Sequence, residues 1–277
     1  MPRGFDGDRT LVLPRPSKAL TAVLVGLLAL WVIFAVGINW GGASLATFEM
    51  LVGNTQAIAE GQIWRLLTAP LMHHPVGSEG VQHIAFALMG LYFLAPALEG
   101  SWGTKRLLTF LAIAGPFAYA VQWTVELALP LAWSARLVPP LWYGSTPVLE
   151  ALVIAFALSL RDQRVLLFFV LPVGSKALIY ATVGISVLLL IADALGPSGH
   201  IAPFAGMFAG WLFGAGTPSP ARRLWLRLRL SWLDAEARRG PKARIGRKAH
   251  RFEVIAGGRD RDPKRRGNGK GNGRMLH

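Results

Sequence analysis

The residues that could do chemistry in this chain are few and sit in long apolar surroundings. Ser145 and Thr146 stand in Leu141-Trp142-Tyr143-Gly144-Ser145-Thr146-Pro147, directly ahead of the apolar run Val148 to Leu160. His200 follows Pro197-Ser198-Gly199, and His83 follows His73 and His74. A hydroxyl and an imidazole are the minimum for nucleophilic catalysis, and a further imidazole can support an oxyanion. The catalytic reading therefore takes Ser145 as nucleophile, His200 as general base and His83 as oxyanion donor. The bland reading makes Thr146 and Pro147 an N-cap and N1 pair and lets Ser145 bond within its own turn. Glu150, one turn further on, is expected to face other helices, because a carboxylate turned to lipid costs about 3 kcal/mol. A metal site built from the histidines and Glu150 is weakly signalled, since no pair shows the i, i+4 spacing of zinc helices. No metal and no cofactor is expected. With no cysteine among 277 residues, disulfides and thiol chemistry are excluded.

These side chains need elements to hold them, and the composition says of what kind. The chain is 53% hydrophobic and 16% charged, against about 25% charged in soluble domains. Ala19 to Ile38 is free of charge and long enough to cross a bilayer. Val81 to Leu98 and Leu107 to about Val125 read as the second and third spans. Pro147 to Leu160 is the fourth, at roughly 21 Å against a hydrocarbon core of about 30 Å. Its start, with Ser145 and Thr146, would then lie inside the membrane. Ala177 to Leu195 and Ile201 to about Ala215 complete six spans, with His200 near the depth of Ser145. Asn39 to Gly80 is too polar to span and reads as an ordered, partly embedded connection. Leu129 to Trp142 reads as a link, and Val165 to Pro172 as a short approach to the membrane. Gly206, Gly210 and Gly214 on helix six, and Ala151, Ala155 and Ser159 on helix four, form small-residue stripes. Such stripes let two helices approach closely in lipid.

Charge placement gives the orientation and the domain plan. Residues 217–277 carry 18 Lys/Arg and 5 Asp/Glu, a net of +13 out of +14 for the chain. Six spans put residues 1–18, Lys105/Arg106, Arg161/Arg164/Lys176 and this tail on one side, leaving Arg65 and Arg136 on the other. The positive side is the cytoplasm, so both termini are expected there. The plan is a cytoplasmic segment at 1–18, a membrane domain at 19–216 and a basic tail at 217–277. In the tail, Arg222, Arg223, Arg227 and Arg229 alternate with Leu and Trp, which suits an interfacial helix on anionic lipid. No nucleic-acid partner is expected. Gly257 to His277 has the composition of disorder.

Motifs in order along the chain then carry a family resemblance. Gly61-Gln62-Ile63-Trp64-Arg65-Leu66-Leu67-Thr68 and Leu71-Met72-His73 are similar to the first-loop motif of rhomboid-family intramembrane proteins. His83, Pro96 to Glu99 with Trp102-Gly103, Val165 to Lys176, and Phe204-Ala-Gly206-Met-Phe-Ala-Gly210 resemble later family motifs. The resemblance covers about residues 19–216. It implies an all-α, polytopic membrane protein with a six-helix bundle, lying in the bacterial inner membrane and working on transmembrane helices of other proteins. Active rhomboids are serine endopeptidases with a Ser–His dyad, the Ser in Gly-x-Ser-Gly. Here Thr146 aligns with the nucleophile and Pro147 with the last Gly. Ala87 replaces the second-helix Asn, and Pro203 aligns with the catalytic His. Because several positions changed together, the preferred reading is a catalytically degenerate member, a pseudoprotease that binds client helices. The alternative is an active serine protease with a shifted Ser145/His200 dyad and His83 at the oxyanion. A pore is disfavoured, as no span is polar along its length.

Overall fold

The structure, a computed structural model, describes residues 15–130, 139–159, 164–167, 171–192 and 196–239. Helix α1 runs from Lys18 to Asn39. Ser17 caps it by accepting from the Leu20 N–H at 3.2 Å, and its own hydroxyl donates to Glu99 at 2.6 Å. The connection from α1 to the next span is ordered, as expected. It holds the short helices α2 (Leu45–Glu49), α3 (Thr55–Ala59) and α4 (Arg65–Thr68), then a 3-10 turn at Ala69–Leu71. Arg65 organises this loop from within: it is buried, and its guanidinium donates to the carbonyls of Glu49 and Val52 and to the Gln62 side chain. These backbone carbonyls cannot be matched by neighbouring strands or helices, so a five-donor side chain fills the gap.

Helices α5 (Gly77–Trp102) and α6 (Thr104–Ala128) turn about Gly103, whose φ of +82° lies where a Cβ is strained. With α1 they are long and apolar enough to cross a membrane. Three shorter apolar helices follow: α7 (Thr146–Ser159), α8 (Ser175–Ile191) and α9 (Ala202–Gly214). The six helices match the six expected spans, within a few residues at each end. The segment expected only to approach the membrane contains a short antiparallel hairpin, β1 (Arg164–Leu167) with β2 (Leu171–Gly174), Arg164 opposite Gly174. The fold is otherwise all-α. A last helix, α10 (Pro220–Arg239), carries the first part of the basic tail. The Arg136 position and the Gly257 to His277 disorder expectation lie outside the described residues.

Helix α7 is the hub. It is apolar nearly all round and buries Val148, Ala151, Leu152, Ile154, Ala155, Phe156 and Ala157, as a helix enclosed by others should. Its closest partner is α9. A Cβ built on Gly206 would lie 2.1 Å from the Pro147 carbonyl oxygen, one on Gly210 2.4 Å from that of Ala151, and one on Gly214 2.5 Å from the Ala155 Cβ. The glycine stripe thus meets α7 as expected, but against Pro147, Ala151 and Ala155 and not Ser159, because the contact sits one turn nearer the start of α7. On another face, Glu150 accepts from the Ser186 hydroxyl of α8 at 3.3 Å.

Candidate active site

The turn that presents Ser145 is suspended between three elements. Gly53 and Trp142 exchange backbone hydrogen bonds of 2.8 and 3.0 Å, and the Trp142 ring stacks on Tyr119 of α6 at 4.7 Å. Gly144 donates its N–H to the Ala69 carbonyl at 2.9 Å, and its own carbonyl accepts from the Tyr119 hydroxyl at 2.8 Å. Its φ is +105°, and a Cβ there would come within 2.3 Å of the His83 ring. Only glycine serves this position, for backbone and for space.

Ser145 is buried, with 3% of its surface exposed, and its Oγ lies 3.1 Å from Nε2 of His73. The other ring nitrogen of His73, Nδ1, is 3.2 Å from the Leu71 carbonyl. A carbonyl only accepts, so Nδ1 carries the proton and Nε2 is the acceptor for the Ser145 hydroxyl. Burial, reinforced by the neighbouring His83, pushes His73 down to about 3, which leaves a neutral imidazole. The rings of His73 and His83 are 4.7 Å apart. A hydroxyl, an imidazole and a carbonyl that orients it therefore stand in line, the arrangement of an activated nucleophile.

His200, which the sequence reading pairs with Ser145, lies half-buried ahead of Ile201, the cap of α9, whereas the imidazole within hydrogen-bond distance of Ser145 is that of His73. His83 is half-buried on α5, and neither of its ring nitrogens has a hydrogen-bond partner among the described residues. Thr146, the first residue of α7, faces elsewhere than Ser145, since adjacent residues at a helix start are about 100° apart. It lines a cleft of about 690 Å³ together with His74, Glu79, Gln82, His83, Phe86 and Tyr143. Burial, with Glu79 nearby, pushes the Tyr143 phenol up and keeps it neutral. Ser145 opens instead on a cavity of about 320 Å³ lined by Leu67, Pro70, Leu71, Leu91, Leu111 and Val148, among others. Two adjacent residues thus line two spaces, one carrying polar side chains beside apolar ones and the other almost wholly apolar.

At the remaining positions Ala87 is buried with no polar atom to offer, and Pro203 is buried in the first turn of α9. Among the described residues no three His, Asp or Glu side chains converge as metal ligands would. The sequence reading passed over His73 as a partner for Ser145. Its one signal was a place right after the first-loop motif; nothing in a separation of 72 residues predicts contact.

Comparison with known proteins agrees with this architecture. The Rhomboid domain family matches residues 60–218, more than half of the chain. The putative rhomboid protease YdcA of Bacillus subtilis (strain 168) is 29% identical over 96 residues. That alignment covers 35% of this chain and 44% of the relative, so the chain matches less than half of that protein's length. With six apolar helices and a family match from the first loop to the end of the last core helix, the chain is an integral membrane protein belonging to the rhomboid family.

Proposed function

We propose that this protein binds transmembrane segments of other membrane proteins without cleaving them. The observation that carries the reading is the Thr146 cleft. The residue of the Ser145-Thr146 pair that lines it is the threonine, and no hydrogen bond joins the Thr146 side chain to an imidazole among the described residues. Threonine adds a methyl group to the carbon that bears the attacking oxygen, and Pro147 removes an N–H from the following position. Losing one oxyanion donor costs about 10²–10³ in rate, and losing the base can cost more. Helix recognition survives such losses, because it rests on shape, apolar surface and a few hydrogen bonds. The cleft offers these through Phe86, Gln82 and Tyr143. The termini lie in the cytoplasm of a bacterial cell in this reading, the membrane domain covers residues 19–216, and the tail rests on anionic lipid.

One contact favours a second reading, an intramembrane serine endopeptidase that uses Ser145 and His73. Oγ would attack the scissile carbonyl while Nε2 of His73 takes its proton, with Leu71 holding the ring and His83 beside the developing oxyanion. The two readings separate by labelling purified protein with a fluorophosphonate. Wild type is compared with Ser145→Ala, Thr146→Ala, His73→Ala and His200→Ala, beside an active family member as positive control. No labelling of wild type is the expected result, followed by photo-crosslinking of client helices from position 82 or 86. Labelling that needs Ser145 and His73 makes the protein a protease, and labelling that needs His200 shows a dyad formed by movement of α9.

A further inference from the structure

On the end of the bundle where α5 meets α6 and α9 ends lies a cleft of about 390 Å³ that neither functional reading uses. Its lining divides in two. One part is Lys105, Arg106 and Arg222 with the hydroxyls of Thr109 and Ser219; the other is Phe110, Ile113 and Phe213. Three cations face a small volume. No Lys or Arg forms an ion pair with a carboxylate among the described residues, and Glu99, the acid nearest in sequence, is taken by the hydroxyls of Ser17 and Thr104. Like charges gathered this way repel unless an anion joins them. Arg106 is held in place for such a ligand. Its guanidinium lies 4.5 Å over the Trp102 ring, and one nitrogen donates to the Gly216 carbonyl at 2.9 Å. The first turn of the 25-residue helix α6 adds the positive end of its dipole beside Lys105.

From this we infer a binding site for the headgroup of an anionic phospholipid, its phosphate held by Lys105, Arg106 and Arg222. The adjoining wall explains the choice of a lipid over a free phosphate. Phe110, Ile113 and Phe213 continue the cleft along the apolar faces of α6 and α9, where an acyl chain of the same molecule lies. The site falls on the side that the Lys/Arg distribution assigns to the cytoplasm, where anionic lipid attracts basic residues at about 1 kcal/mol each. It is more specific than the spread tail contact proposed above, and it involves residues of the helix bundle itself.

The test is native mass spectrometry of full-length, delipidated protein titrated with phosphatidylglycerol, phosphatidylcholine or inorganic phosphate. A one-to-one adduct with phosphatidylglycerol is expected, with phosphatidylcholine weaker. Lys105→Gln with Arg222→Gln should weaken it roughly 30-fold, while Arg227→Gln with Arg229→Gln, equal in charge but outside the cleft, should leave it within about twofold. Arg106 is kept in this pair because it also braces Gly216. Equal weakening by both pairs would mean diffuse adsorption by the tail and overturns the site. Binding of inorganic phosphate as tight as that of the lipid, lost in the same variant, makes it a free-anion site and overturns the lipid.

Discussion

At the scale of single residues, the informative group is His73. A buried imidazole that donates a hydrogen bond to the Leu71 carbonyl and accepts one from Ser145 is held neutral. Its pKa is lowered on folding from 6.5 to about 3, so the unfolded chain binds the extra proton first. The stability it contributes is complete above about pH 6.5 and drains away as pH falls toward 3. Thermal unfolding in detergent between pH 7.5 and 4 should show wild type losing stability faster than His73→Asn. Parallel curves for the two proteins would count against a neutral, buried His73. A neutral imidazole is free to accept the Ser145 proton, but a pKa of about 3 makes it a weak base. Access decides, and Ser145 faces the apolar cavity while Thr146 has the polar cleft.

At the scale of elements, the contact between α7 and α9 carries the bundle. Lipid offers no hydrophobic drive for two helices to meet, so close backbone approach must supply it. Gly210→Val places a Cβ 2.4 Å from the Ala151 carbonyl, with two methyl groups beyond it. It should cost about 1–3 kcal/mol or more, seen as a lower unfolding temperature. Gly184→Ala on α8 has nothing within 4 Å of the new Cβ and should be neutral, or stabilising by up to about 1 kcal/mol. Similar losses for both substitutions would show that the close approach of α9 to α7 is not what sets the cost. Helix α8 presents the contrasting case: it buries only Ser175, Leu178 and Ser186, and reaches α7 partly through the bond from Ser186 to Glu150. An element so lightly attached is expected to open locally at a lower free energy than the rest of the bundle.

For the whole molecule, asymmetry of charge is the property from which its orientation in the membrane is expected. A chain without cysteine makes the orientation simple to read. Single substitutions Ser101→Cys and Thr217→Cys on the basic side should react with a membrane-impermeant maleimide only after cells are opened. Glu60→Cys in the first loop should react in intact cells. The reverse pattern would invert the topology and move the inferred lipid cleft to the other leaflet.

Much of this was legible in one dimension. The six helices follow from apolar runs with at most one charge each, since a bilayer leaves a backbone no alternative to internal hydrogen bonding. The approach of α9 to α7 follows from glycines four residues apart, because on a helix that spacing is a face. The ordered first loop was readable in Trp64 and Arg65, though not the carbonyls that Arg65 binds. What only the tertiary structure decided is which imidazole meets Ser145. His200 and Ser145 were matched by depth along parallel helices, a one-dimensional measure. His73 comes from a loop whose path is set by Arg65, Gly53 and Gly144 together, and a loop carries no periodicity from which its contacts can be read. The division of Ser145 and Thr146 between two cavities was hidden for the same reason: sequence orders the two hydroxyls side by side, and only the packing around a helix start assigns each to its own space.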